Sequence, residues 1–181
     1  ALSPVGERRW RAPEAPVAWN GTREALAFGN HCPQFASAFG GVSDVPAGAV
    51  SGSEDCLYLN VYAPRLERAD AAQAKLPVLV WIHGGGNVIG SSNFYDGGRM
   101  AQTHDVVVVT INYRLSIFGA FGHPGLEGSG TFGLQDQQAA LRWVQRNAAA
   151  CGGDPGNVTV FGESYGGLST SAHLVAPGSA G

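Results

Sequence analysis

Charged side chains are scarce in this chain. They make up 14% of its 181 residues, and eleven Lys and Arg against fourteen Asp and Glu leave a net charge of −3. So balanced a composition carries no basic footprint, and no nucleic-acid partner is expected. No apolar run approaches the roughly 20 residues of a membrane-spanning helix, so no membrane span is expected either. Cysteines number only three, an odd count, and neither Cys-x-x-Cys nor His-x-x-x-His occurs. Neither a metal site nor another cofactor is therefore expected. The chain opens at Ala1 without an initiator Met or a legible signal peptide, and nothing about targeting is read from that. What is present is a 44% share of hydrophobic residues; a chain of this mass can bury roughly 70% of its unfolded surface around one core. Glycine is in excess, 27 residues, about twice the usual share of roughly 7%. Such a chain has many tight turns or close backbone approaches.

Residues 1–56 show no helical period. Five prolines from Pro4 to Pro46, with Trp10, Trp19 and scattered Gly and Ser, read as a loop-rich wrapping segment. Apolar, β-branched runs follow. Residues 57–62 alternate as a strand does, while 78–82, 106–111 and 158–161 are continuous apolar runs apart from Thr110 and Thr159. Strands apolar on both faces suit a parallel sheet covered by helices. Residues 134–150 carry Leu134, Ala140, Leu141, Val144 and Ala148 near one helical face, and Gly152-Gly153 end that helix. Strands alternating with helices mean an α/β fold. The Ala-rich stretch 69–74 reads as an exposed loop.

Two motifs carry chemistry. Gly162-Glu163-Ser164-Tyr165-Gly166 matches G-x-S-x-G, with an apolar strand before it and a potentially helical stretch, 168–175, behind it. A serine at a sharp strand-to-helix turn is exposed on a strained backbone, and the flanking glycines let neighbouring chain come close. His83-Gly84-Gly85-Gly86 stands at the end of the 78–82 run. Without side chains, backbone N–H groups there can converge on an oxyanion. A solvated Gly-rich turn is the plain alternative for each motif taken alone.

With these motifs placed, the sequence resembles the type-B carboxylesterase family of α/β hydrolases, which includes the cholinesterases. The likeness runs along nearly the whole chain, 1–181, in the family's motif order: Pro4-Val5-Gly6 with Arg9-Trp10, Ser53 to Asn60, Asn112-Tyr113-Arg114-Leu115, Gly133 to Gln137, Trp143-Val144-Gln145, Gly152-Gly153-Asp154-Pro155 and Gly162-Glu163-Ser164. It implies the N-terminal portion of an α/β-hydrolase fold, a mostly parallel central sheet with flanking helices. It also implies a serine carboxylic-ester hydrolase acting on a small-molecule ester. Ser164 would be the nucleophile, the N–H groups of Gly85, Gly86 and Tyr165 the oxyanion hole, and Glu163 a buried supporting carboxylate. Two ion pairs are implied as well, Arg9 with Glu54 and Arg114 with Asp154. Two positions depart from the family pattern: Tyr165 stands where a small residue is usual, and Asn87 where an aromatic is usual. A phenol beside the nucleophile would narrow the acyl pocket, so substrate preference is touched more than reaction type.

In this fold the acid and the His follow the serine in the chain. After Ser164 there is no Asp or Glu, and the one His is His173. Nine helical residues mean about 13 Å of rise and roughly 180° of rotation, which turns His173 away from Ser164. His31, His83, His104 and His123 precede the nucleophile, in the wrong order. The expectation is a piece of a longer enzyme, lacking early strands and the rest of its triad, near-inactive and poorly soluble by itself. The alternative is a non-catalytic adhesion or binding member of the same fold. The resemblance also implies a Cys32–Cys56 disulfide, with Cys151 a free packing residue. That bridge favours a secreted or periplasmic protein; two reduced thiols in a cytoplasmic enzyme is the other reading. No Trp lies between Cys32 and Cys56, which disfavours a quaternary-ammonium substrate held by cation–π contact.

Overall fold

A computed structural model describes residues 1–38 and 41–179, with the backbone alone for Arg68, Ala69 and Ala72. Two short strands, β1 (Gln34–Phe35) and β2 (Val50–Ser51), pair antiparallel within the otherwise irregular first 56 residues. The remaining elements follow in order: β3 (Leu59–Tyr62), α1 (Arg68–Ala74), β4 (Leu76–Ile82), α2 (Gly98–His104), β5 (Val107–Ile111), α3 (Ser116–Ala120), α4 (Phe132–Asn147), β6 (Gly153–Gly162) and α5 (Tyr165–His173). Four strands form one sheet in the order β3-β5-β4-β6. Strand β3 runs antiparallel to β5, whereas β5, β4 and β6 are mutually parallel.

The strand pattern follows from burial. Every residue of β5 is buried, as a central strand with both faces covered requires. In β4, Val78, Val80 and Ile82 are fully buried, and together with Val107, Val109 and Ile111 they meet Ala140 and Val144 of α4 and Ala148 just after it. The opposite face holds a smaller cluster, Ala101, Val106 and Val108, with Tyr62 and Leu79 against it. Strand β6 is the outer strand of the described sheet, and it carries Pro155, which has no N–H to donate and suits an edge.

The expected helix at 134–150 is α4, continued by a 3₁₀ turn to Cys151 and stopped by Gly152 at φ +88°. The 69–74 stretch is a correction: it forms most of α1, not a loop. Its alanines are the best intrinsic helix formers, and nothing in that run breaks a helix. The wrapping segment is braced internally by the Cys32–Cys56 disulfide and the Arg9–Glu54 ion pair, and tied to the rest by Trp10, whose indole N–H donates to the Ile117 carbonyl at 2.9 Å.

Candidate active site

Neighbouring parallel strands place the two motifs side by side. Ile82, the last residue of β4, is in register with Gly162, the last residue of β6. The glycine loop and the serine turn therefore leave the same end of the sheet one strand apart, where open α/β sheets bind ligands. Ser164 sits between β6 and α5 at φ +55° and ψ −121°, a backbone conformation that few residues with a side chain adopt. The turn closes through the Gly166 N–H, which donates to the Glu163 carbonyl at 2.8 Å.

Glycine is needed here for room. A Cβ built on Gly166 would collide with the carbonyl of Ile82. One built on Gly84 would lie 2.7 Å from the Glu163 carbonyl oxygen and 3.0 Å from the Ser164 Cβ. The loop and the serine turn are thus in backbone contact. Ser164 is exposed, and among the described residues no acceptor takes the backbone N–H of Gly85, Gly86 or Tyr165.

The glycine loop is anchored at both ends by side chains. The Gln34 amide accepts from Gly90 N–H at 2.8 Å and returns a hydrogen bond to the Gly90 carbonyl at 2.8 Å. At the other end Tyr113 donates its hydroxyl to the His83 carbonyl at 2.7 Å. The two rings stack with centroids 4.5 Å apart. His83 is fully buried, and burial lowers its imidazole to about 4, so the ring is neutral. Its Nδ1–H donates to the Gly84 carbonyl at 2.9 Å. Burial, with smaller contributions from Tyr165 and Tyr95, likewise raises the Tyr113 phenol far above its usual range.

The family model described as "Carboxylesterase family" matches residues 1–181. The chain belongs to the carboxylesterase family. It is 45% identical to a cocaine esterase of Oryctolagus cuniculus over 186 residues, covering all of this chain and 34% of that protein. It is also 45% identical to the para-nitrobenzyl esterase of Bacillus subtilis (strain 168), covering all of this chain and 36% of that one. Among solved structures, a PNB esterase superimposes with a TM-score of 0.87 at 44% identity, covering all of this chain and 36% of that one. The Geobacillus stearothermophilus carboxylesterase EST55 gives 0.83 at 45% identity, covering 99% and 36%. The fold is that of an α/β hydrolase, and the chain spans about a third of the length of the relatives it matches.

Several expectations change within this carboxylesterase-family framework. Arg114 does not pair with Asp154. Its Nε and Nη2 donate to Asp136 at 2.7 and 2.8 Å, and its backbone N–H donates to the same carboxylate at 3.0 Å. Burial pushes the Asp136 carboxyl up, and the hydrogen bonds from Arg114 oppose that push. Asp154 instead accepts from the Gly156 N–H in its own turn at 2.8 Å.

Glu163 is exposed, not buried, because β6 is the outer strand of the described sheet and nothing described covers it. His173 does face away from Ser164: its ring bonds the Gln137 side-chain amide oxygen at 3.0 Å and the Ser179 hydroxyl at 2.9 Å. Among the described residues no side chain hydrogen-bonds the Ser164 hydroxyl. Tyr165 and Asn87 line one cavity. No helix among the described residues is long and apolar enough to cross a membrane. Gln34 and Tyr113 escaped sequence reasoning as site residues, since they lie 56 and 30 positions from the loop atoms they hold.

Proposed function

We propose that this chain supplies the nucleophile and oxyanion hole of a serine carboxylic-ester hydrolase acting on small-molecule esters. Ser164 Oγ attacks the ester carbonyl carbon while a base takes its proton. The resulting oxyanion accepts hydrogen bonds from the N–H groups of Gly85, Gly86 and Tyr165. The carbonyl–alkoxy bond then breaks, the alcohol leaves with the proton, and water repeats the sequence to release the acid. Glu163 is a supporting carboxylate at the turn. The carrying observation is that the serine, on a strained strand-to-helix turn, touches the backbone of the glycine loop.

The described residues place no base at Ser164, so the 181-residue chain alone is expected to keep only the small residual rate that binding and an oxyanion hole provide. The Cys32–Cys56 disulfide supports a secreted or periplasmic location. A fluorophosphonate probe tests the assignment in the full-length protein. It should label Ser164, and Ser164→Ala should abolish both labelling and turnover of p-nitrophenyl acetate. Absence of an adduct in the folded protein would instead favour a non-catalytic adhesion or binding role for the same fold.

A further inference from the structure

Tyr165 follows the nucleophile candidate and Asn87 follows the glycine loop, and both line one cavity of about 220 Å³ bordered by α3, α4 and α5. Asn87 holds a left-handed φ of +63°, which Asn tolerates better than bulkier side chains. Its carbonyl accepts the Ser116 N–H at 2.6 Å. A short side chain at that strained position leaves the space behind the loop to be filled from elsewhere. Tyr165 borders that space from α5 and packs against the buried cluster that includes Tyr113. Tyr113 in turn stacks on His83 and bonds its carbonyl, and His83 bonds the Gly84 carbonyl. Electrostatic influence of the Tyr165 phenol on Tyr113 fits the same proximity. The residue bearing one proposed oxyanion donor and the loop bearing the other two thus meet the same buried cluster, through Tyr113.

We infer that Tyr165 is a positioning residue whose ring, acting through Tyr113 and His83, sets where the Gly84–Gly86 backbone stands relative to Ser164. This rests on reading Ser164 as the nucleophile. A brace of this kind acts on the developing oxyanion more than on the bound substrate, so its loss falls on kcat.

The test uses the full-length protein, with active sites counted by fluorophosphonate titration so that unfolded molecules drop out. Tyr165→Ala should lower kcat on p-nitrophenyl acetate by about 10- to 100-fold, the scale of a sub-ångström misplacement, with KM within about threefold. Affinity for a trifluoromethyl ketone, which mimics the tetrahedral intermediate, should fall in parallel. Tyr165→Phe should recover most of that loss, because the ring remains. Tyr113→Phe combined with Tyr165→Ala should lose little more than the worse single variant, as expected for two members of one brace. If Tyr165→Ala does not fold, Tyr165→Leu is read the same way.

Strictly additive losses, a change in KM alone, or a Phe variant as poor as the Ala variant would overturn the inference. Wild-type protein that takes no label at Ser164 would overturn the nucleophile assignment itself. A labelled wild type with unimpaired Tyr165→Ala kinetics would overturn only the brace.

Discussion

Gly84→Ala puts the contact between the two motifs under direct strain. The added Cβ would stand 2.7 Å from the Glu163 carbonyl oxygen and from the Glu163 carboxylate, and 3.0 Å from the Ser164 Cβ. The Glu163 side chain is exposed and can swing aside, but the carbonyl belongs to the turn itself. Restoring that 2.7 Å approach to an ordinary contact of 3.4 Å requires the loop and the serine turn to part by about 0.7 Å. Overpacking of this kind costs about 1–3 kcal/mol in stability. The kinetic effect should be larger, because N–H donors aimed at an oxyanion act only at hydrogen-bond distance. Losing one such donor lowers kcat by about 10²–10³-fold.

Gly84→Ala in the full-length protein should therefore lose about 10²-fold in kcat on p-nitrophenyl acetate, with a modest fall in thermal midpoint and little change in KM. Gly122→Ala is the control, since a Cβ there meets nothing within 4 Å and kcat should not change. A folded Gly84→Ala variant within threefold of wild-type kcat would refute the claim that this loop holds the oxyanion.

Removing Asp136 leaves Arg114, only 3% exposed, without its counter-charge. Asp136→Ala should cost about 3–5 kcal/mol in urea unfolding, whereas Arg114→Met with Asp136→Leu should cost less, because no charge is then buried alone. Equal losses in the two variants would contradict this. His83 makes stability depend on pH. Its imidazole is near 6.5 when unfolded and about 4 when folded, so the unfolded chain binds the extra proton between those values. Stability is then complete above about pH 6.5 and falls by about 3 kcal/mol as the pH drops to 4. In His83→Gln that part of the slope should vanish; an unchanged slope would show that His83 is not the buried neutral group.

Local chemistry along the chain was enough to specify the sheet strands, the long helix and the turn that lifts Ser164. Runs as rich in apolar and β-branched residues as 78–82 and 106–111 have few alternatives to a covered strand, and a serine flanked by glycines before a helix constrains its own turn within five residues. The same logic placed the glycine loop at the end of a strand, though not beside Ser164. That neighbourhood arises because β4 and β6, separated by some seventy residues of chain, pair in parallel with Ile82 opposite Gly162.

Other features belong to packing alone. The sequence pointed Arg114 to Asp154, and only the seating of α4 against the loop after β5 brought Asp136 to it instead. The hold of Gln34 on Gly90 comes from the wrapping segment crossing the loop. A residue's own backbone and nearest neighbours decide its secondary structure over a few ångströms. Its partner across the molecule is decided by how whole elements bury their faces, which no short string of letters encodes.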